Sequence, residues 1–270
     1  GACWHPSKRG YPKIGNLPCV GLCWSSCTNE VDEFIGNVEP STRSVSTALN
    51  ANLASLFTGG APTLTSAEIK EVNDAYAKMT SINCYRNIDE AVRNKTSYAG
   101  TIFLDDTYAS AYFRKGSLAF PPYGILASSM EHEFIHMYQR DVQGKKVDTD
   151  KEKRDTGMME FELAFYQGII RYIHAGYSWT FKGEDGDPSY QSLWTSGLTD
   201  PSLIPQYERE FQTYVASICA NGKPTSIDIN EFVKWSNIFG EYSRGYSGKG
   251  YKFGNYDYGT SCINSLPVSY

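Results

Sequence analysis

The sequence predicts an α+β fold, mainly helical, with one small sheet placed ahead of a central helix. Three observations carry that expectation. Apolar residues recur at helical spacing through most of the chain, strand-like segments are confined to about residues 100–120, and no internal repeat or long linker divides what remains. With 270 residues, 41% of them hydrophobic and 14% aromatic, there is enough apolar material for a sizeable core. The expected organisation is an irregular cysteine-rich arm over residues 1–40 and one domain over residues 41–270.

Taken in order, residues 1–40 are rich in Pro, Gly, Ser and Cys and show no sustained period, which predicts an arm packed over a domain. Cys3, Cys19, Cys23 and Cys27 cluster there, while Cys84, Cys219 and Cys262 are scattered. Such clustering predicts at least one disulfide, and with it a secreted or cell-envelope protein. A zinc knuckle using Cys3, His5 and the Cys19–Cys23–Cys27 set, or plain buried thiols, are the alternatives. Val45, Leu49, Leu53 and Leu56 predict a helix over 41–57, ended by Gly59-Gly60. Thr65 with Glu68 three residues on is a capping-box pattern, opening a helix whose buried stripe is Ile69, Val72, Ala75, Tyr76 and Met79.

From Gly100 the pattern becomes strand-like at 101–104. One or two further strands are expected over 108–120, broken at Lys115-Gly116. A helix follows over about 123–140, then a charged loop over 141–155, then a helix over about 156–174 stopped by Gly176. Residues 177–200 read as loop, with helices near 202–220 and 228–239. Residues 240–260 interleave tyrosines with glycines, a pattern of hairpins and loops with half-buried rings, or of an aromatic rim for substrate. The net charge of −5 and the lack of a basic stripe argue against nucleic acid as a partner. No run of 18 apolar residues exists, so no membrane-spanning segment is expected.

The chemistry-bearing motif lies inside the helix at 123–140. His132-Glu133-Phe134-Ile135-His136 is HExxH. Residues four apart on a helix stand one above the other, so His132 and His136 can aim both imidazoles at one metal ion. Glu133, one step round, reaches a water at that metal as general base without joining the ligand set. In a chain with four His, chance supplies this pattern only about 0.003 times. The alternative is a pair of core histidines with no metal. A hydrolytic zinc site needs a third protein ligand and an open fourth position. Gln139 and Val142 stand where a metzincin has Gly and His, which excludes that class.

The third ligand is then expected from the helix at 156–174, which offers Glu160 and Glu162 in Met158-Met159-Glu160-Phe161-Glu162-Leu163. HExxH followed by a Glu on a second helix resembles the gluzincin class of zinc metallopeptidases, over about residues 100–175. That resemblance implies a zincin-like core, bound Zn2+, a peptide or protein substrate, and hydrolysis with Glu133 as general base. Glu160-Phe161-Glu162-Leu163 resembles the ExEA pattern of some such families, which favours Glu160. Glu162 shares a face with Met158, Met159, Phe165, Tyr166 and Ile169, which favours Glu162. The two acids stand ~200° apart, so only one of them can ligate.

His174, near the end of the same helix, is a candidate for substrate or transition-state contact, with the helix dipole as the plainer reason for a histidine there. The stretch 109–120 is a candidate edge strand for pairing with an extended peptide, as such proteases keep one beside the metal. Two other functions fit the residues: a secreted binding protein that keeps the fold and the metal, and a zinc hydrolase acting on a cell-wall amide. The intact Glu133 favours an enzyme over a binding protein.

Overall fold

The computed structural model describes residues 48–145, 154–179, 193–220, 224 and 227–255. Contacts divide the chain at Arg43/Ser44 into two units, and the first lies outside the described residues. So do Cys3, Cys19, Cys23, Cys27 and Cys262, and with them the expected disulfide. Cys84 and Cys219 are buried free thiols, pushed up to about 12 and about 11 by desolvation.

The described architecture is mainly helical with one three-stranded sheet, in the order α1 (Ala51–Leu56), α2 (Ser66–Ser81), α3 (Asn83–Lys95), β1 (Ile102–Leu104), β2 (Tyr112–Arg114), β3 (Ser117–Phe120), α4 (Ala127–Met137), α5 (Arg154–His174), α6 (Ile204–Ile218) and α7 (Ile229–Tyr242). None of the described helices is long and apolar enough to cross a membrane.

The capping box of α2 forms as its sequence dictates. Thr65 N–H donates to Glu68 Oε2 at 2.6 Å, and Glu68 N–H donates to Thr65 Oγ1 at 3.3 Å. Val72, Ala75, Tyr76 and Met79 are buried beneath it. The first helix is shorter than its period suggests. Asn50 takes non-helical backbone angles (φ −48°, ψ 136°) and accepts the Asn52 N–H, so helix begins only at Ala51; residues 41–47 lie outside the described set. Helix α3 was not anticipated, although Cys84, Ile88 and Val92 recur every fourth residue and are all buried.

Two strands are present within 108–120, where one or two are expected. Lys115 and Gly116 both take positive φ (51° and 77°), as a two-residue hairpin turn demands, and Gly116 adopts it without a Cβ clash. The strand order is β1-β3-β2, with β1 parallel and β2 antiparallel to β3, so β2 is an edge.

Helices α2 and α3 pack on α4, helices α6 and α7 pack on α5, and α4 meets α5. Helix α5 is buried nearly all round, through Met158, Phe161, Leu163, Phe165, Tyr166 and Ile169. Its Phe161 ring stands 5.0 Å from Phe232 and 5.6 Å from Phe239 between centroids. Each such side chain contributes about 1.5–3 kcal/mol of burial, which makes α4 and α5 rigid supports for what they carry.

Candidate metal centre

Helix α4 buries Met130, Phe134, Ile135 and Met137, and that anchoring leaves His132 and His136 together on its partly open face. A π-helical turn over Tyr138–Val142 continues α4, closed by Gln143 N–H donating to Tyr138 O at 3.0 Å. Single π turns of this kind recur at functional sites. Glu160 projects from the facing side of α5.

Three side chains converge there. His132 Nε2 and His136 Nε2 are 3.2 Å apart, His136 Nε2 lies 3.3 Å from Glu160 Oε1, and His132 Nε2 lies 3.7 Å from Glu160 Oε2. Donors bonded to one tetrahedral ion at zinc distances are about 3.3–3.5 Å from each other. The trio therefore has the spacing of a shared ion, and two imidazoles with one carboxylate are a donor set suited to zinc. One side stays open to a cleft of about 330 Å³, lined among others by Ala111, Tyr112, Phe113, Glu133, Arg140 and Tyr246. A second hollow of about 330 Å³ shares Ser110, Ala111, His132, Glu133 and Tyr246 and extends the cleft to Ser128 and Ser129.

Electrostatics separate the roles. Desolvation and the neighbouring His136 depress His132 to about 4. Burial works against charge on His136, but Glu160 outweighs it and raises the imidazole to about 9. Burial likewise opposes the Glu160 carboxylate, yet His136, His132 and the Tyr246 hydroxyl hold it down at about 2. Glu133 is different. It is 5% exposed and accepts the Phe113 N–H, and burial lifts it to about 7. Its Oε1 lies 4.0 Å from His132 Nε2, beside the trio.

The structure thus brings His132, Glu133, His136 and Glu160 to one cleft. Glu162 is elsewhere, fully buried against Lys145, Gln139 and Tyr166. His174 is exposed, fourteen residues beyond Glu160 and so about 21 Å along the helix. It borders a separate hollow with Ser81, Ile82, Asn83, Cys84, Ile170 and Ile173. Substrate contact by His174 is therefore not supported, because α5 carries it away from the cleft.

Two participants have no signal in the motif. Tyr246 donates to Glu160 Oε2 at 2.6 Å from 86 residues away, out of the Tyr/Gly-rich stretch. Gln139, which the sequence shows only as a departure from the metzincin pattern, meets His136 Nδ1 at 2.9 Å. No protein-family model, no curated protein and no solved structure matches this chain.

Proposed function

We propose that the protein is a zinc-dependent metallopeptidase with a gluzincin-like centre on a zincin-like core. The observation that carries this reading is the convergence of His132, His136 and Glu160 at ligand spacing, with the buried Glu133 carboxyl beside them on an open cleft. A zinc ion held there supplies Lewis acidity, polarising a carbonyl and making water more acidic. Glu133 accepts the proton of the attacking water and passes it to the leaving amine. Burial favours the protonated form of the Glu133 carboxyl, which suits a group that takes up a proton and then returns it.

Phe113 N–H orients the Glu133 carboxylate, and Tyr246 holds Glu160 Oε2. The β2 edge and the preceding Ser110 and Ala111 run along the cleft, so an extended peptide that pairs with this edge lies across the trio. Arg140 also lines the cleft, held by Asp141 and stacked 4.5 Å over the Phe113 ring.

The test is elemental analysis for zinc followed by digestion of a peptide library. One zinc per chain and cleavage are expected. Glu133→Gln should keep zinc and fold while losing at least ~100-fold in rate, the scale of general-base loss. Full turnover by that variant would overturn the mechanism. Failure of the zinc-loaded wild type to cleave any peptide would overturn the substrate class.

A further inference from the structure

Beyond the trio itself, we propose that Gln139, Glu162 and Lys145 form a buried positioning relay that keeps the His136 proton on Nδ1 and so presents Nε2 to the metal position. The inference rests on the reading of the trio as a metal centre.

Donor and acceptor chemistry carries it. Gln139 is fully buried, and its Nε2 donates to Met159 O at 3.0 Å and to Glu162 Oε2 at 3.1 Å. A carbonyl and a carboxylate oxygen only accept, so the two Nε2 hydrogens belong on that side and the amide cannot be turned over. Its Oε1 therefore faces His136 Nδ1 at 2.9 Å. An amide oxygen only accepts as well, so Nδ1 must be the protonated nitrogen, whatever the state of Nε2. The orientation of one amide thus selects the tautomer of one ligand.

Glu162 is what fixes the amide. Lys145 Nζ lies 2.5 and 2.6 Å from its two oxygens, and Tyr166 OH donates to Oε1 at 2.6 Å. Lys145 is itself tied back, since its N–H donates to Gln139 O at 2.9 Å. The π turn brings Gln139 under His136, and the same turn leads the chain on to Lys145. The relay therefore joins α4 to α5 by polar bonds directly behind the trio. The second acid of Glu160-Phe161-Glu162 has a role of its own: one carboxylate faces the metal position, and the other holds the group that orients its neighbour. Partners of ligating histidines typically carry 10–100-fold of metal affinity, and this relay is the partner of His136.

The experiment uses the full chain labelled with 15N. Long-range 1H–15N spectra locate the His136 proton, and competition with a chromogenic chelator gives zinc affinity. In the wild type, chelator-treated and zinc-loaded alike, the proton is expected on Nδ1 and protected from exchange. Gln139→Met keeps the volume and removes the bonds; protection should vanish and zinc affinity fall about 10–100-fold. Gln139→Glu alone sets two carboxylates face to face and should bind zinc poorly. Combining it with Glu162→Gln gives the new carboxylate a facing donor, while Met159 O stays opposed to it, and should recover part of the affinity, which a packing role would not do.

The relay is overturned if wild-type His136 carries no proton on Nδ1, even should Gln139→Met fail to fold. It is also overturned if Gln139→Met retains affinity within about twofold, or if the double variant binds no better than Gln139→Glu. A wild type that binds no zinc would refute the metal centre instead, while the chelator-treated spectrum still judges the relay.

Discussion

Glu160 and Glu162 leave the same helix two residues apart, on nearly opposite faces, and end in two different kinds of polar interior. Glu162 meets an ammonium on both its oxygens, a phenol and an amide, and no part of it is exposed. Glu160 meets two imidazole nitrogens and a phenol, keeps 16% of its side chain accessible, and looks into a cleft. The first is a closed ion pair between α5 and the segment after α4. The second is a set of donors turned toward one point. A closed pair contributes to stability and order; converging donors contribute affinity for something else.

The comparison can be broken by exchanging the two effects. Glu162→Gln removes the carboxylate that nearly buried Lys145 meets at 2.5 Å, and loss of one partner of a buried pair costs about 3–5 kcal/mol. Urea unfolding should show a loss of about 3 kcal/mol, with zinc affinity falling less than in Glu160→Gln. Glu160→Gln should do the opposite: zinc affinity down at least ~100-fold, and stability in chelator lowered by less than in Glu162→Gln. Equal effects on stability would show that the two acids do not differ in kind.

Tyr246→Phe sharpens the same contrast at a smaller scale. It removes the donor to Glu160 Oε2, and zinc affinity should fall about 10-fold in chelator competition without a change of fold. An unchanged affinity would make Tyr246 a packing residue of the cleft.

A third carboxylate, Asp141, gives the smallest effect. Burial pushes it up, but Arg140, at 2.6 and 3.0 Å, and the Tyr98 hydroxyl prevail and hold it below the usual aspartate value. The folded state then binds this proton more weakly than the unfolded chain does. Its contribution is complete above the unfolded value of about 3.9 and is lost as the pH falls below that. Asp141→Asn should flatten the acid side of the stability curve by under about 1 kcal/mol, as read from urea melts stepped from about pH 6 to pH 3. A steeper acid side in the variant would contradict the sign.

What was legible in the sequence follows from how local each feature is. HExxH, the Thr65–Glu68 cap and the Lys115-Gly116 turn depend on neighbours within a few residues, and each has a spacing that chemistry fixes. Helix α3 carries the same kind of signal in Cys84, Ile88 and Val92, but polar residues between them and an interior aspartate, Asp89, dilute it. The choice between Glu160 and Glu162 was not local. Helical geometry gives the two faces, and the apolar neighbours of Glu162 correctly put it in the interior. Only the fold shows that Lys145 waits there, while the imidazoles stand on the other side. Tyr246 and Gln139 were illegible for the same reason: their meaning lies in partners on another element.

Anomalous diffraction at the zinc edge from crystals of the zinc-loaded full chain tests the centre most directly. The account predicts one peak per chain, about 2.0–2.2 Å from His132 Nε2, His136 Nε2 and one oxygen of Glu160, with its open side toward the cleft. A peak on Glu162 and Lys145, or none between the two histidines at saturating zinc, would contradict it.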